Sequence, residues 1–270
     1  MRTRYPRAHC GAGSVLKYVG TITKMIPLVV LVYGCATKPK YQEELQNIED
    51  TYRLHCDKFN VPLYVFVEEH ATMSGMNYIK LPGVNDTYES NIPKTYLGLK
   101  WLMDHVKFEA VLVIGTDAYP NIPKLLQYLK TLDMSQPLYI GGHGDVHSMY
   151  GMQVYFHSGG PGFVLTRPLV SSIYPFLSFF PANWECLCMN TTYYGLRAAG
   201  DVLLPFYLLQ TGVTHQVVHT PSLSFSHCTH RGYPCHVGTQ TPEGVMCCHL
   251  MKRQEMLEYT YLLETNNFYL

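Results

Sequence analysis

The stretch Val111-Leu-Val-Ile-Gly-Thr-Asp-Ala-Tyr-Pro-Asn-Ile122 decides the fold class. With Ala110, its first four residues make a continuous aliphatic run, the pattern of a strand buried on both faces, and Gly115 closes it. Beyond it, Ile122, Leu125, Leu126, Leu129 and Leu132 recur at helical spacing, so 121–132 reads as a helix. Asp117 is a lone carboxylate between the two elements. Just past a buried strand, such a group can hold a divalent cation against phosphates, because hard oxygen ligands suit Mg²⁺ or Mn²⁺. It can equally cap the helix that follows. Spacing alone leaves both readings open.

The same alternation extends upstream. Ile26 to Tyr33 is a second buried strand, ended by Gly34-Cys35-Ala36-Thr37. Lys40 to His55 reads as one helix with Leu45, Ile48 and Tyr52 inward, Pro62 to Glu68 as a strand, and Pro93 to Val106 as a helix bearing Tyr96, Leu97, Leu99, Trp101 and Leu102. Such alternation predicts an α/β fold: a mostly parallel sheet with helices on both faces and a ligand crevice beyond the carboxyl ends of its strands. After Leu138 the rhythm becomes mixed. Gly141, Gly142, Gly144, Gly159, Gly160 and Gly162 permit close backbone approach to a ligand, or mark tight turns. Asp201 to Gln210 reads as a helix with Val202, Phe206 and Leu209 on one face and Gly212 as its cap; by position Asp201 is an N-cap or first-turn acid. Met251 to Leu263 is the closing helix. Residues 1–24 read as a weakly ordered arm and 25–270 as one domain.

Composition narrows the function. The 270 residues are 47% hydrophobic and 15% charged, which excludes wholesale disorder. Twenty basic residues balance twenty acidic ones, so no basic face for nucleic acid is expected. No P-loop and no G-x-S-x-G elbow is present. The nine cysteines are too dispersed for a small disulfide scaffold. His227-Cys228-Thr229-His230, Cys235-His236 and Cys247-Cys248-His249 could supply zinc ligands to a binding module, or a Cys228–Cys235 disulfide. No run approaches the roughly 18 apolar residues of a spanning helix. Arg2, Arg4 and Arg7 resemble a charged leader, but Lys17 and Lys24 interrupt its apolar part. The expectation is therefore a soluble chain with no signal or transmembrane segment.

Several segments, in order, carry a resemblance. They are Asp86-Thr-Tyr-Glu-Ser-Asn-Ile-Pro-Lys94-Thr, Gly115-Thr116-Asp117-Ala-Tyr-Pro-Asn121, Tyr139-Ile-Gly-Gly142, Ser158-Gly-Gly-Pro-Gly-Phe-Val-Leu165, Gly200-Asp201-Val-Leu-Leu-Pro205 through Val213, and Cys248-His249-Leu-Met-Lys-Arg-Gln-Glu-Met256. Together they resemble the fringe-like, β1,3-type glycosyltransferases of family 31, over roughly Ile26 to Leu263. Where that family carries D-D-D, this chain has Gly115, Thr116 and Asp117; where it carries D-D at the late helix, this chain has Gly200 and Asp201, and Pro205 replaces a family glycine.

The resemblance implies a GT-A fold and inverting transfer of a sugar from a nucleotide sugar, a UDP-sugar, to a hydroxyl of a glycan or glycoprotein. It implies Asp201 as catalytic base. Asp117 and His249, with His227 as a second histidine, would bind Mn²⁺ or Mg²⁺. Thr116, Gly159, Gly160 and Gly162 would border the donor, and Cys35, Ala36, Thr37 and Lys94 the nucleotide. It also implies a Golgi or ER lumen location should the N-terminus be truncated. A non-catalytic relative of the same fold, acting as a chaperone, is the alternative that the missing acids suggest.

Overall fold

The computed structural model describes residues 25–73, 77–142, 144–189, 191–223, 245–249 and 251–265. The first half runs β1 (Ile26–Tyr33), α1 (Pro39–Asp50), α2 (Tyr52–Lys58), β2 (Leu63–Glu68), β3 (Asn77–Leu81), α3 (Asn91–His105) and β4 (Phe108–Ile114). It continues through β5 (Tyr119–Pro120), α4 (Ile122–Leu129), β6 (Leu138–Gly141), β7 (Gly144–Met149), β8 (Met152–His157), β9 (Phe163–Thr166) and α5 (Arg167–Ile173). Then come α6 (Phe180–Cys188), α7 (Gly200–Thr211), β10 (Gln216–His219), β11 (Cys247–Cys248) and α8 (Arg253–Thr265).

Seven strands form one sheet in the order β10-β6-β9-β4-β1-β2-β3. All run parallel except β9, which is antiparallel to both β4 and β6. This is the expected mostly parallel α/β sheet with a mixed second half. β1 shows why a continuous apolar run was needed: Leu28, Val30 and Val32 face one core with Leu45, Ile48 and Tyr52, while Val29 and Leu31 face the other with Tyr96, Leu99 and Leu102. Each face is thus sealed by helices, and the carboxyl ends of β1 and β4 emerge side by side, Val32 opposite Ile114.

Three local expectations are corrected. The stretch from Lys40 to His55 is two helices, because Thr51 leaves helical geometry (φ −130°, ψ −108°), although Leu45, Ile48 and Tyr52 are buried as expected. The helix after β4 is capped by Asn121, whose side chain accepts the Lys124 N–H (3.2 Å), so Asp117 is not its cap. The helix beginning at Gly200 is buried almost all round from Val202 to Leu208, and Leu209, expected inward, is 48% exposed. Gly212 closes it in the left-handed conformation (φ 64°).

Candidate active site

A cavity of about 470 Å³ opens at the carboxyl ends of β1 and β4. Its wall includes Asp117, Asp201 and His249 together with Cys35, Lys94, Thr116, Gly159 and Gly160. Two acids 84 residues apart in the chain therefore share one crevice (201 − 117).

Asp117 follows β4 directly. Its neighbour in the cavity arrives from the far end of the chain: β11 pairs antiparallel with β5, Cys248 opposite Tyr119, and the Met251 N–H donates to the Asp117 carbonyl (3.0 Å). That pairing sets Nε2 of His249 3.3 Å from Oδ2 of Asp117. Burial alone would raise the Asp117 carboxyl, but the His249 ring beside it holds it below the usual carboxylate range. Gly160 must be a glycine for this approach, since a Cβ there would lie 2.3 Å from Nδ1 of His249. Among the described residues no group of three or more His, Cys, Asp or Glu side chains forms a cage for a metal ion.

Asp201 stands in the first turn of α7. Its Oδ2 accepts the Gly159 N–H (2.8 Å) and its Oδ1 the Val202 N–H (3.1 Å). Two bonds from α3 fix this turn: the Tyr96 hydroxyl donates to the Gly200 carbonyl (2.7 Å), and the Asn91 amide to that of Ala198 (2.9 Å). Burial pushes the Asp201 carboxyl above its ordinary value, against the pull of those N–H groups.

The expected nucleotide border is organised by Asp86. One of its carboxylate oxygens accepts the N–H groups of Ala36 and Thr37 (2.9 Å each) and the Thr37 hydroxyl (2.8 Å); the other pairs with the Lys94 ammonium. Burial works against this carboxylate, yet Lys94 and Thr37 hold it far below the usual range. Ala36 and Thr37 thus serve the frame beneath the cavity, which Cys35 and Lys94 line. Gly162 lies off the wall. Its φ is +82°, and a Cβ there would lie only 2.4 Å from Cγ2 of Ile114, so it shapes the turn that presents Gly159 and Gly160. His227, with Cys228, His230, Cys235 and His236, lies outside the described residues.

Two cavity residues escaped the sequence reading. Glu44 of α1 accepts the Thr116 hydroxyl and faces Lys40 (3.7 Å). Tyr33 ends β1 and lines the same cavity as the two acids. The Thr116 partner of Glu44 lies 72 residues away and the Thr37 partner of Asp86 49 residues away, contacts that no local pattern announces.

The Fringe-like family model matches residues 89–228, just over half of the chain. The chain belongs to that family. Its mostly parallel sheet with one inserted antiparallel strand is the GT-A arrangement of these glycosyltransferases. The match covers Asp117 and Asp201 but stops before His249. Human and mouse chondroitin sulfate synthase 3 are each 31% identical to this Fringe-like chain over 117 residues, 40% of the chain and 12% of either synthase. The chain therefore matches a small part of those curated relatives. Among solved structures, galactosyltransferase LgtC with donor and acceptor sugar analogues is 12% identical (TM-score 0.49, 88% of this chain and 96% of that one). A glycosyltransferase involved in glycosylation of the major capsid of PBCV-1 is 14% identical (TM-score 0.48, 87% and 99%). No helix among the described residues is long and apolar enough to cross a membrane.

Proposed function

We propose that this chain is a metal-dependent, inverting glycosyltransferase that moves a sugar from a UDP-sugar to a hydroxyl of a glycan or glycoprotein, forming a β1,3-type linkage. The observation that carries the reading is the shared cavity of Asp117 and Asp201. One half-buried acid beside a histidine and a second acid with a raised proton affinity supply different functions in one cavity.

Asp117 and His249, one carboxylate and one imidazole side by side, are the residues that would hold Mn²⁺ or Mg²⁺. When bound, the cation would neutralise charge gathering on the departing diphosphate. Asp201 would accept the acceptor's hydroxyl proton as that oxygen bonds to the anomeric carbon and the bond to the diphosphate breaks. Attack opposite the leaving group inverts the anomeric centre. Burial makes Asp201 a stronger base than an exposed carboxylate, and positioned base catalysis of this kind contributes roughly 10²–10⁴-fold. Gly159 keeps one carboxylate oxygen in place through its N–H, leaving the proton-accepting role to a group that cannot swing away. Cys35 and Lys94 would border the nucleotide, and Thr116, Gly159 and Gly160 the donor sugar and diphosphate.

A second reading is favoured by Gly115, Thr116 and Gly200, which stand where the related motifs carry acids: a non-catalytic relative that retains the fold. Calorimetry with UDP, with and without Mn²⁺, tests the enzyme reading. UDP binding that strengthens when Mn²⁺ is added is the expected result. Absence of UDP binding in both conditions would remove it.

A further inference from the structure

Tyr33 is the last residue of β1, and the pairing of Val32 with Ile114 sets it beside Gly115. Gly115 contributes no side chain, and the phenol occupies the neighbouring space. A Cβ at 115 would lie 3.2 Å from the Tyr33 hydroxyl, 3.4 Å from its Cε2 and 3.2 Å from Oδ1 of Asp117. The ring lines the same cavity as Asp117 and Asp201. A phenol keeps its proton at neutral pH, so the hydroxyl is available as a hydrogen-bond donor.

We propose that Tyr33 contacts the transferred sugar, its hydroxyl donating a hydrogen bond to a sugar oxygen held between Asp117 and Asp201. The inference rests on the donor reading given above. In that reading the diphosphate lies at Asp117 and His249, and the attacking oxygen lies at Asp201. The sugar carbon that joins them must lie between. The hydroxyl opens on the cavity that both acids line, and Gly115 leaves it room beside Asp117. Tyr33 therefore discriminates a nucleotide sugar from the bare nucleoside diphosphate, which ends at the other acid.

Calorimetry of wild type and Tyr33→Phe with Mn²⁺, UDP and a panel of UDP-hexoses tests this, with single-turnover release of the sugar from the best-bound donor. Phe keeps the ring and removes only the hydroxyl, and thermal melting checks that the fold is retained. The expected result is unchanged UDP affinity, a roughly tenfold loss of affinity for the preferred UDP-hexose, and slower sugar release, as for one lost hydrogen bond. Equal UDP-hexose affinity and equal release in the two proteins would overturn the assignment. So would a parallel loss of UDP affinity, which would put the hydroxyl at the diphosphate instead. A wild-type protein that binds UDP but gains nothing from any hexose overturns the sugar contact alone. One that binds neither overturns the donor reading and this inference with it.

Discussion

Asp201 carries opposing demands on a single side chain. Burial raises its proton affinity, which suits a base, yet the same burial opposes the charged form in the folded protein. The sign of the stability effect follows from the raised folded value. Stability is fully present below the unfolded carboxylate value, near 3.9, and is lost as pH rises through the folded one. At neutral pH the ionised carboxylate therefore destabilises the fold. Asp201→Asn, which can still accept the Gly159 N–H, should melt about 2 °C or more above wild type at pH 7. The gap should close as pH falls towards 4. A variant that melts at or below wild type at pH 7 would contradict the burial argument. Asp117 has the opposite balance, because His249 compensates its burial.

Elements decide which residues reach the cavity. β1, β4, α3 and α4 were legible because each carries a strong period: two-sided apolar runs for the strands and repeating aliphatics for the helices. β3 and the β7–β8 hairpin were not, since β3 is a half-exposed edge strand and most of β7 faces solvent, leaving no buried face to pattern the sequence. β11 has only two residues and exists through its pairing with β5, yet it delivers His249 to Asp117. Asp117 and Asp201 were visible as acids at element ends, whereas their convergence came from the resemblance and is a property of the sheet order. Asp86 was quoted in a motif, but its role as a frame depends on partners 8 to 50 residues away. That frame joins the end of β1 to α3 through a buried ion pair, Lys94 being only 2% exposed and Asp86 7%. Asp86→Asn would remove the carboxylate paired with Lys94, leaving Glu68 as the neighbouring acid, and should cost about 3 kcal/mol in denaturant unfolding at pH 7. The native contribution of this depressed carboxylate is present above the unfolded value and fades as pH falls through the folded one. A loss below about 1 kcal/mol would mean that the pair is not what holds the loop.

For the whole molecule, a neutral chain with two apolar cores seals both faces of its sheet and leaves a concavity lined by charged groups at the strand ends. That is where an open α/β sheet places ligands, since strand termini and helix starts leave room and unsatisfied backbone groups there. Central to the proposed function is that Asp117 and Asp201 serve one reaction within that concavity. Transfer by Asp201→Asn, measured at saturating UDP-sugar and Mn²⁺ beside its UDP affinity, tests this most directly. The expected result is wild-type UDP affinity and a rate lower by roughly 10²-fold or more. Wild-type turnover in that variant, or a loss of UDP binding as large as the loss of rate, would contradict it.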